Sequence, residues 1–366
     1  MLTIPNVVLR SDFAHLSKED LRTICTELEL TQTGSVDDLS GRIWDKIKDN
    51  KELQNTALDA HQSKLLCGKT AITWYNLQAG ASLKGAKKLI IASLGRNPFE
   101  EKKIPSQSEL TTDPVIIGAT QGKTEHDYYL RFMYRSGVLT HSSGVESVLI
   151  PLSKIVTVYI NEELGCIEVR ANSKIAKIIA AKLAKLIEQT ITLEQIKIMA
   201  KYGNNIEAIA NELKGDFIDA TAKPELLLKD FNTEQADAVL NMLKALDSFF
   251  EDDNIDILKE ELEEARGKLG SDAMEIPFTA LVLAGLEKVG LGVSGKDLRG
   301  NQLYNYLNEY MQHQGGCIQF KCPENQLSQS YTVRVGLNTN SVSFSTPATE
   351  SAIKYVRDRI IINSKD

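Results

Sequence analysis

The amino-acid sequence predicts an α+β protein of several domains, and three observations predict it. Apolar residues recur at helical spacing near the N-terminus, at a period of two through residues 114–172, and at helical spacing again through an acidic stretch ending near residue 271. With 366 residues, 42% of them hydrophobic and 25% charged, the chain has a globular composition and length enough for two or three cores. The expected order is an N-terminal helical module at 1–50, a basic helical segment and linker at 51–110, and an antiparallel sheet with an amphipathic helix at 111–190. An acidic helical segment at 191–271 and a C-terminal α+β domain at 272–366 complete it.

In the first module Leu16, Leu21, Ile24, Cys25 and Leu28 form one helical face, and the run from Thr31 through Gly34 breaks it. Ser35 is placed to cap a second helix whose face carries Leu39, Ile43, Trp44 and Ile47. Over residues 13–50, the pattern Leu16, Leu21, Cys25, Leu28, Leu30, Gly34, Leu39, Arg42, Ile43 resembles a SAP domain. That family is a helix, extended loop and helix that binds DNA. The resemblance implies phosphate contacts from Thr33, Gly34, Ser35, Arg42 and Lys46, with the backbone N–H groups at the second helix's start adding to them. The chain departs from the family pattern just after the glycine, where Asp37 and Asp38 replace the usual lysines and are expected to repel a DNA backbone.

A helix is expected over 52–68, and a basic stretch follows in which Lys84, Lys87, Lys88, Arg96, Lys102 and Lys103 face only Glu100 and Glu101. Strands are expected at 115–118, 128–134, 146–151, 155–160 and 166–169, forming an antiparallel meander. The helix expected over 173–189 buries Ile175, Ile179, Leu183 and Leu186 and turns Lys174, Lys177, Lys182 and Lys185 outward, a second candidate phosphate contact.

Residues 205–270 hold 17 carboxylates against seven cations, which suits a protein partner better than nucleic acid. Within them, residues 232–235 have the form of a capping box, and Ile255, Leu258, Leu262, Ala265 and Leu269 space like a short helical seam or dimer contact. Helices at 279–289 and 296–312, then strands at 317–321, 331–336 and 341–345 and a helix at 350–361, give the order of a winged helix. Arg299, Asn301, Gln302 and Asn305 would then stand where groove contacts lie.

Residues 1–200 carry a net charge of +2 and the remainder −9, so the front half is the part able to meet nucleic acid. No apolar run of about 18 residues predicts a membrane span, and the first residues lack the form of a signal peptide. The five scattered cysteines suit reduced thiols and a cytoplasmic location. No cofactor or metal is expected, because the five histidines stand apart from second ligands at zinc spacing. The stretch from Gly118 to Thr124 imitates a nucleotide-binding loop but has one residue too few between its glycines, so a hairpin turn is expected; Cys67 to Thr70 is a poorer imitation.

The leading expectation is therefore a non-enzymatic, DNA-associated protein that holds phosphates largely without sequence specificity and uses its acidic back half for protein partners. The alternative is an interaction scaffold or homo-oligomer component that touches no nucleic acid. A third reading, a metal-dependent nuclease, would draw on Asp113, Lys123, Glu125 and Asp127.

Overall fold

The structure, a computed structural model, describes residues 2–77, 82–144, 146–187, 193–224, 311–324 and 327–362, with single positions and short runs between 225 and 310. The architecture is α+β, with many helices and a large antiparallel sheet. The chain divides into two compact units, Met1–Gly203 with Phe320–Asp366, and Asn204–Gln319. The boundary expected near residue 272 does not separate them, since the C-terminal strands return to the first unit.

Elements run in this order: α1 Ile4–Val7, α2 Lys18–Glu27, α3 Val36–Ile47, α4 Lys51–Leu58, α5 Gln62–Leu65, β1 Ala71–Asn76 and α6 Ala86–Leu94. Next come β2 Val115–Gln121, β3 Asp127–Ser143, β4 Glu146–Asn161, β5 Cys166–Arg170, α7 Ser173–Leu186, β6 Glu194–Gln195 and α8 Ile198–Lys201. Then follow α9 Ile206–Glu212, β7 Asp216–Pro224, β8 Val289–Gly292, β9 Met311–Glu324, β10 Leu327–Gly336, β11 Ser341–Phe344 and α10 Glu350–Arg357. Among the described residues no helix is long and apolar enough to cross a membrane.

In the first unit the strands lie in the order β2-β3-β4-β5-β1-β11-β10, with β6 beside β1, and every pairing is antiparallel. The sheet expected within 111–190 is therefore wider than its own segment. The central strand β1 lies between β5, through Thr73↔Val169, and β11, through Ala71↔Ser343. The strands expected at 146–151 and 155–160 are one: Pro151 and Ser153 read as a break, yet β4 runs through both against β3. The strands expected at 331–336 and 341–345, β10 and β11, join this sheet instead of forming a wing.

Strand alternation sorts the core. Tyr128, Leu130 and Phe132 of β3 with Val156, Val158 and Ile160 of β4 pack against Ile90 of α6 and Ile179 and Leu183 of α7. Tyr129 and Tyr159, on the other face, pack against Ile24, Leu39, Ile43 and Leu58 of the N-terminal helices. Each such aliphatic side chain contributes about 1.5–3 kcal/mol on leaving water, which is what holds the two helical layers to the sheet.

A buried ionic network ties the C-terminal helix to this sheet. Glu168 on β5, fully buried, accepts hydrogen bonds from Trp74 Nε1 at 3.0 Å, Arg170 Nε at 3.0 Å and Arg357 Nη1 at 2.9 Å. Arg170 also donates to Glu350 Oε2 at 2.8 Å and to the Leu66 carbonyl at 2.9 Å, while Tyr129 donates to Glu350 at 3.0 Å. The Arg357 guanidinium lies 4.0 Å from the centre of the Tyr159 ring.

Beyond Met133 on β3 and Thr157 on β4, neither β2 nor β5 flanks the β3–β4 hairpin, and the two strands continue as a free arm. A register shift between Arg135 and Gly137 marks its root.

In the second unit β7 pairs with β8 and β9, and Phe217 packs edge-on against Tyr304 at 5.9 Å between ring centres. The strand β7 interrupts the acidic segment expected to be predominantly helical. Arg299, expected at a groove, instead ion-pairs with Asp297 at 2.6 Å and donates to the Gly215 carbonyl at 2.6 Å. Asn301, Gln302 and Asn305, the seam residues from Ile255 to Leu269, and most of the helices expected at 279–289 and 296–312 lie outside the described residues. The described ends of the last two depart from expectation, since Val289–Gly292 is a strand and Met311 opens another.

Candidate nucleic-acid interface

At the SAP-like module both helices start on reciprocal caps, Ser17 with Asp20 and Ser35 with Asp38. Asp38 Oδ2 accepts from Ser35 N at 2.8 Å and Ser35 Oγ at 2.7 Å, and these bonds hold its carboxyl below the ordinary range. Asp37 pairs with Arg10 Nη2 at 3.0 Å. The two aspartates expected to repel DNA are thus structural partners. Arg42 is half-buried and donates to the Thr31 carbonyl at 2.6 Å, bracing the interhelical loop rather than standing free for a phosphate. Gly34 has φ +126°, a region side chains rarely enter, and a Cβ there would stand 3.0 Å from Arg42 Nη2 and from Asp38 Oδ2. Thr33, Gly34, Ser35 and Lys46 remain exposed around this tip.

The second predicted cluster is occupied from within. Glu162 Oε2 accepts from Gly85 N at 2.8 Å and its Oε1 from Lys87 N at 2.7 Å, so a carboxylate already fills the start of α6, where an anion would bind. Lys87 donates to Gln121 at 2.5 Å and lies 4.3 Å from the Phe99 ring centre. Lys102 donates to the Val8 carbonyl at 3.0 Å, and burial pushes its ammonium pKa down. Lys84 and Lys88 are exposed, but they share a depression with Glu125, Glu162 and Glu163. On α7, Lys182 pairs with Asp113 at 2.5 Å, while Lys174, Lys177 and Lys185 are exposed with no ion pair among the described residues.

These residues do not share one surface. The SAP-like helices cover one face of the sheet, and α6 and α7 cover the other. The structure therefore gathers Thr33, Gly34, Ser35, Arg42 and Lys46 on one side, and Lys84, Lys87, Lys88, Lys174, Lys177, Lys182 and Lys185 on the opposite side.

The carboxylates drawn together for a nuclease are likewise dispersed in local tasks. Asp127 accepts from Lys123 N at 3.2 Å and Thr124 N at 2.6 Å, closing the β2–β3 turn, and Asp113 is held by Lys182. Among the described residues, no group of three or more His, Cys, Asp or Glu is placed to hold a metal ion. The apparent nucleotide-binding loop is that hairpin turn. Gly122 is required because a Cβ would stand 2.2 Å from Asp127 Oδ2.

Sequence reading missed a cleft of about 590 Å³ on the SAP-like side. Its walls are the 3₁₀ turn Arg10–His15, Trp44 of α3, the loop carrying Lys69, and the adjoining parts of β3 and β4. Arg10, Lys69, Arg131, Lys154 and Arg170 line it, with Asp12 as a lining carboxylate. Arg131 is 2% exposed; it ion-pairs with Asp12 and donates to Thr157 Oγ1 at 2.6 Å, while its buried Nε has no partner among the described residues. Arg170 is neutralised by Glu168 and Glu350. The surplus positive charge thus comes from Lys69 and Lys154, both exposed and without an ion pair among the described residues, and from Arg10, which Asp37 partly offsets. His15 makes a 2.8 Å hydrogen bond from Nδ1 to the Leu65 carbonyl, and Trp44 offers a half-buried ring.

The cations of this cleft come from well-separated stretches of the chain, Arg10, Lys69 and Arg131 about sixty residues apart, so no local charge run announces them. One signal was present: Arg131 interrupts an apolar strand as a buried arginine. No family model matches the chain, and no curated protein matches it.

Proposed function

We propose that the protein binds the nucleic-acid backbone, DNA foremost, largely without sequence preference, through the face that carries the SAP-like helices. One observation carries this reading: Lys69 and Arg10 stand over a cleft beside Trp44, and Arg10 reaches from that cleft to the start of α3. Phosphates held there would meet two cations, and the exposed tip formed by Thr33, Gly34, Ser35 and Lys46 would extend the contact. An aromatic ring next to a cationic wall also suits an unpaired base at a strand end. Lys174, Lys177 and Lys185 form a separate patch on α7 that would engage a different stretch of backbone. The acidic segment 205–270 is assigned to a protein partner, because its carboxylates would repel phosphates.

Fluorescence anisotropy with a labelled duplex, followed from low to physiological salt, tests the reading. The full chain should show affinity falling linearly with salt on logarithmic axes. Lys69→Glu combined with Arg10→Gln should reduce the slope by about two, since each phosphate no longer neutralised lowers it by roughly 0.9. No retention of DNA at the lowest salt, or an unaltered slope in the double variant, overturns it.

A further inference from the structure

Burial sorts the lining of the cleft on the SAP-like side into a base and a rim. Arg131 and Arg170 are buried at its base, while Arg10, Lys69 and Lys154 are exposed at its rim. The rim cations come from the turn Arg10–His15, from the loop before β1 and from β4, so they stand on three different walls. Lys69 and Lys154 have no ion pair among the described residues, and Asp37 engages Arg10 at 3.0 Å.

The two buried arginines differ. Arg170 is spent on Glu168 and Glu350, whereas Arg131 gives its terminal nitrogens to Asp12 and Thr157 and keeps an Nε with no partner among the described residues. A buried guanidinium N–H left without an acceptor is costly, and an anionic oxygen is the acceptor that suits it best. Apolar side chains stand beside these cations, with Trp44, Leu9, Ile104 and Met133 among the lining. The Trp44 ring is set by Phe13, edge-on at 6.0 Å between centres, and by Lys102 Nζ, 5.8 Å from its own centre.

At about 590 Å³ the cleft falls within the roughly 300–1,000 Å³ that small-ligand sites occupy. That is room for a nucleotide, whose base needs an aromatic wall and whose phosphate needs cations. Bases inside a duplex stack on one another and offer no face to an indole, but an unpaired base does. A linkage within a strand carries a single charge, while a terminal phosphate monoester carries about 1.5–2 negative charges at neutral pH and presents three acceptor oxygens. The second matches two unpaired lysines above a guanidinium with a spare donor.

We propose that this cleft receives the phosphorylated end of a nucleic-acid strand, with the terminal phosphate monoester between Lys69 and Lys154 above Arg131 and the unpaired terminal base against Trp44. Arg10, which reaches from the cleft to the start of α3, would meet the next phosphate along. The inference rests on the backbone-binding reading above and adds that strand ends are told apart from duplex interiors. A free nucleoside monophosphate shares this chemistry, and the experiment separates the two.

Fluorescence anisotropy on the full chain at fixed salt tests this with short oligothymidylates, labelled at one end and carrying phosphate or hydroxyl at the other. The phosphorylated strand should bind about tenfold tighter or more, the factor expected of hydrogen bonds to an added charge. Lys154→Gln should abolish most of that preference, and its unfolding midpoint should stay with the parent's because the side chain is exposed. Thymidine monophosphate should displace the phosphorylated strand, and inorganic phosphate, which lacks a base, should do so far more weakly. The mononucleotide should also quench the emission of Trp44, since the chain's other tryptophan, Trp74, is fully buried.

Equal affinity for the two ends, with duplex still bound in a salt-dependent manner, overturns the strand-end proposal and leaves the backbone reading standing. Inorganic phosphate competing as well as the mononucleotide overturns it as well, since the cleft would then be a general anion site. A chain that retains no strand or duplex, yet binds the mononucleotide and loses it with Lys154→Gln, overturns both, because the ligand would be a free nucleotide. Binding of none of these probes also overturns both.

Discussion

Glu168→Ala is expected to destabilise the first unit by about 3–5 kcal/mol, the range seen when one partner of a buried ion pair is removed. Glu168 is fully buried and accepts from Trp74, Arg170 and Arg357 at once. Without it, Arg357 keeps its charge in the interior facing no carboxylate at that distance, and the indole N–H loses its acceptor. Urea unfolding should show a lower midpoint with an unchanged slope. A loss under about 1 kcal/mol would mean that water or backbone groups replace the carboxylate, and the network would not be what holds α10 down.

The same network makes a prediction about pH. Burial pushes the Glu350 carboxyl up, but Arg170, with both its terminal nitrogens on that carboxylate, outweighs this and leaves it below the ordinary value of 4.5. Its stabilising contribution is therefore complete above that ordinary value and is lost as pH falls through the lower value it has when folded. The stability difference between parent and Glu350→Gln should be widest near neutrality and should shrink in acid. A gap that stays constant down to the acid limit would contradict this.

Gly118→Val is the second large effect, and its direction opposes strand propensity. Valine favours strands, and Gly118 lies inside β2, so propensity alone would favour the change. However, a Cβ at this site would stand 2.1 Å from the Asn6 carbonyl oxygen of α1, a backbone atom that cannot rotate away. Either α1 or β2 must move, and the neighbouring bonds from Lys103 N to the Ile117 carbonyl and Ala119 N to the Pro98 carbonyl, each 2.8 Å, resist the shift. A loss of about 2–3 kcal/mol is expected, at the upper end for overpacking. A variant as stable as the parent would mean that α1 is not fixed against β2.

Much of the fold can be read from local pattern. The capping serine Ser35, the period-two alternation through β2 to β5, with two expected strands fused into β4, and the apolar face of α7 lie where spacing places them, because each is decided by neighbours in sequence. What local pattern does not carry is strand order. Nothing near Ala71 says that its neighbour is Ser343, and nothing near Glu168 says that Arg357 will reach it. The site suffers from the same blindness. Basic residues cluster along the chain near α6, yet Glu162 closes that lysine cluster from 75 positions away, and Arg10, Lys69 and Arg131 converge from three separate segments. A charge count sees composition; only the fold decides whether a lysine faces solvent, a carboxylate or a carbonyl.

The central position of β1 has a consequence for biosynthesis. Its partner Ser343 is 272 positions downstream of Ala71, so a chain emerging from the ribosome carries an open strand edge in the middle of its future sheet until β11 has emerged. During that interval Arg170 and Glu168 also wait for Glu350 and Arg357. Nascent chains halted before Ser341 should therefore be cut readily by protease and held by chaperones, and resistance should come abruptly with the final turn of α10 rather than by degrees.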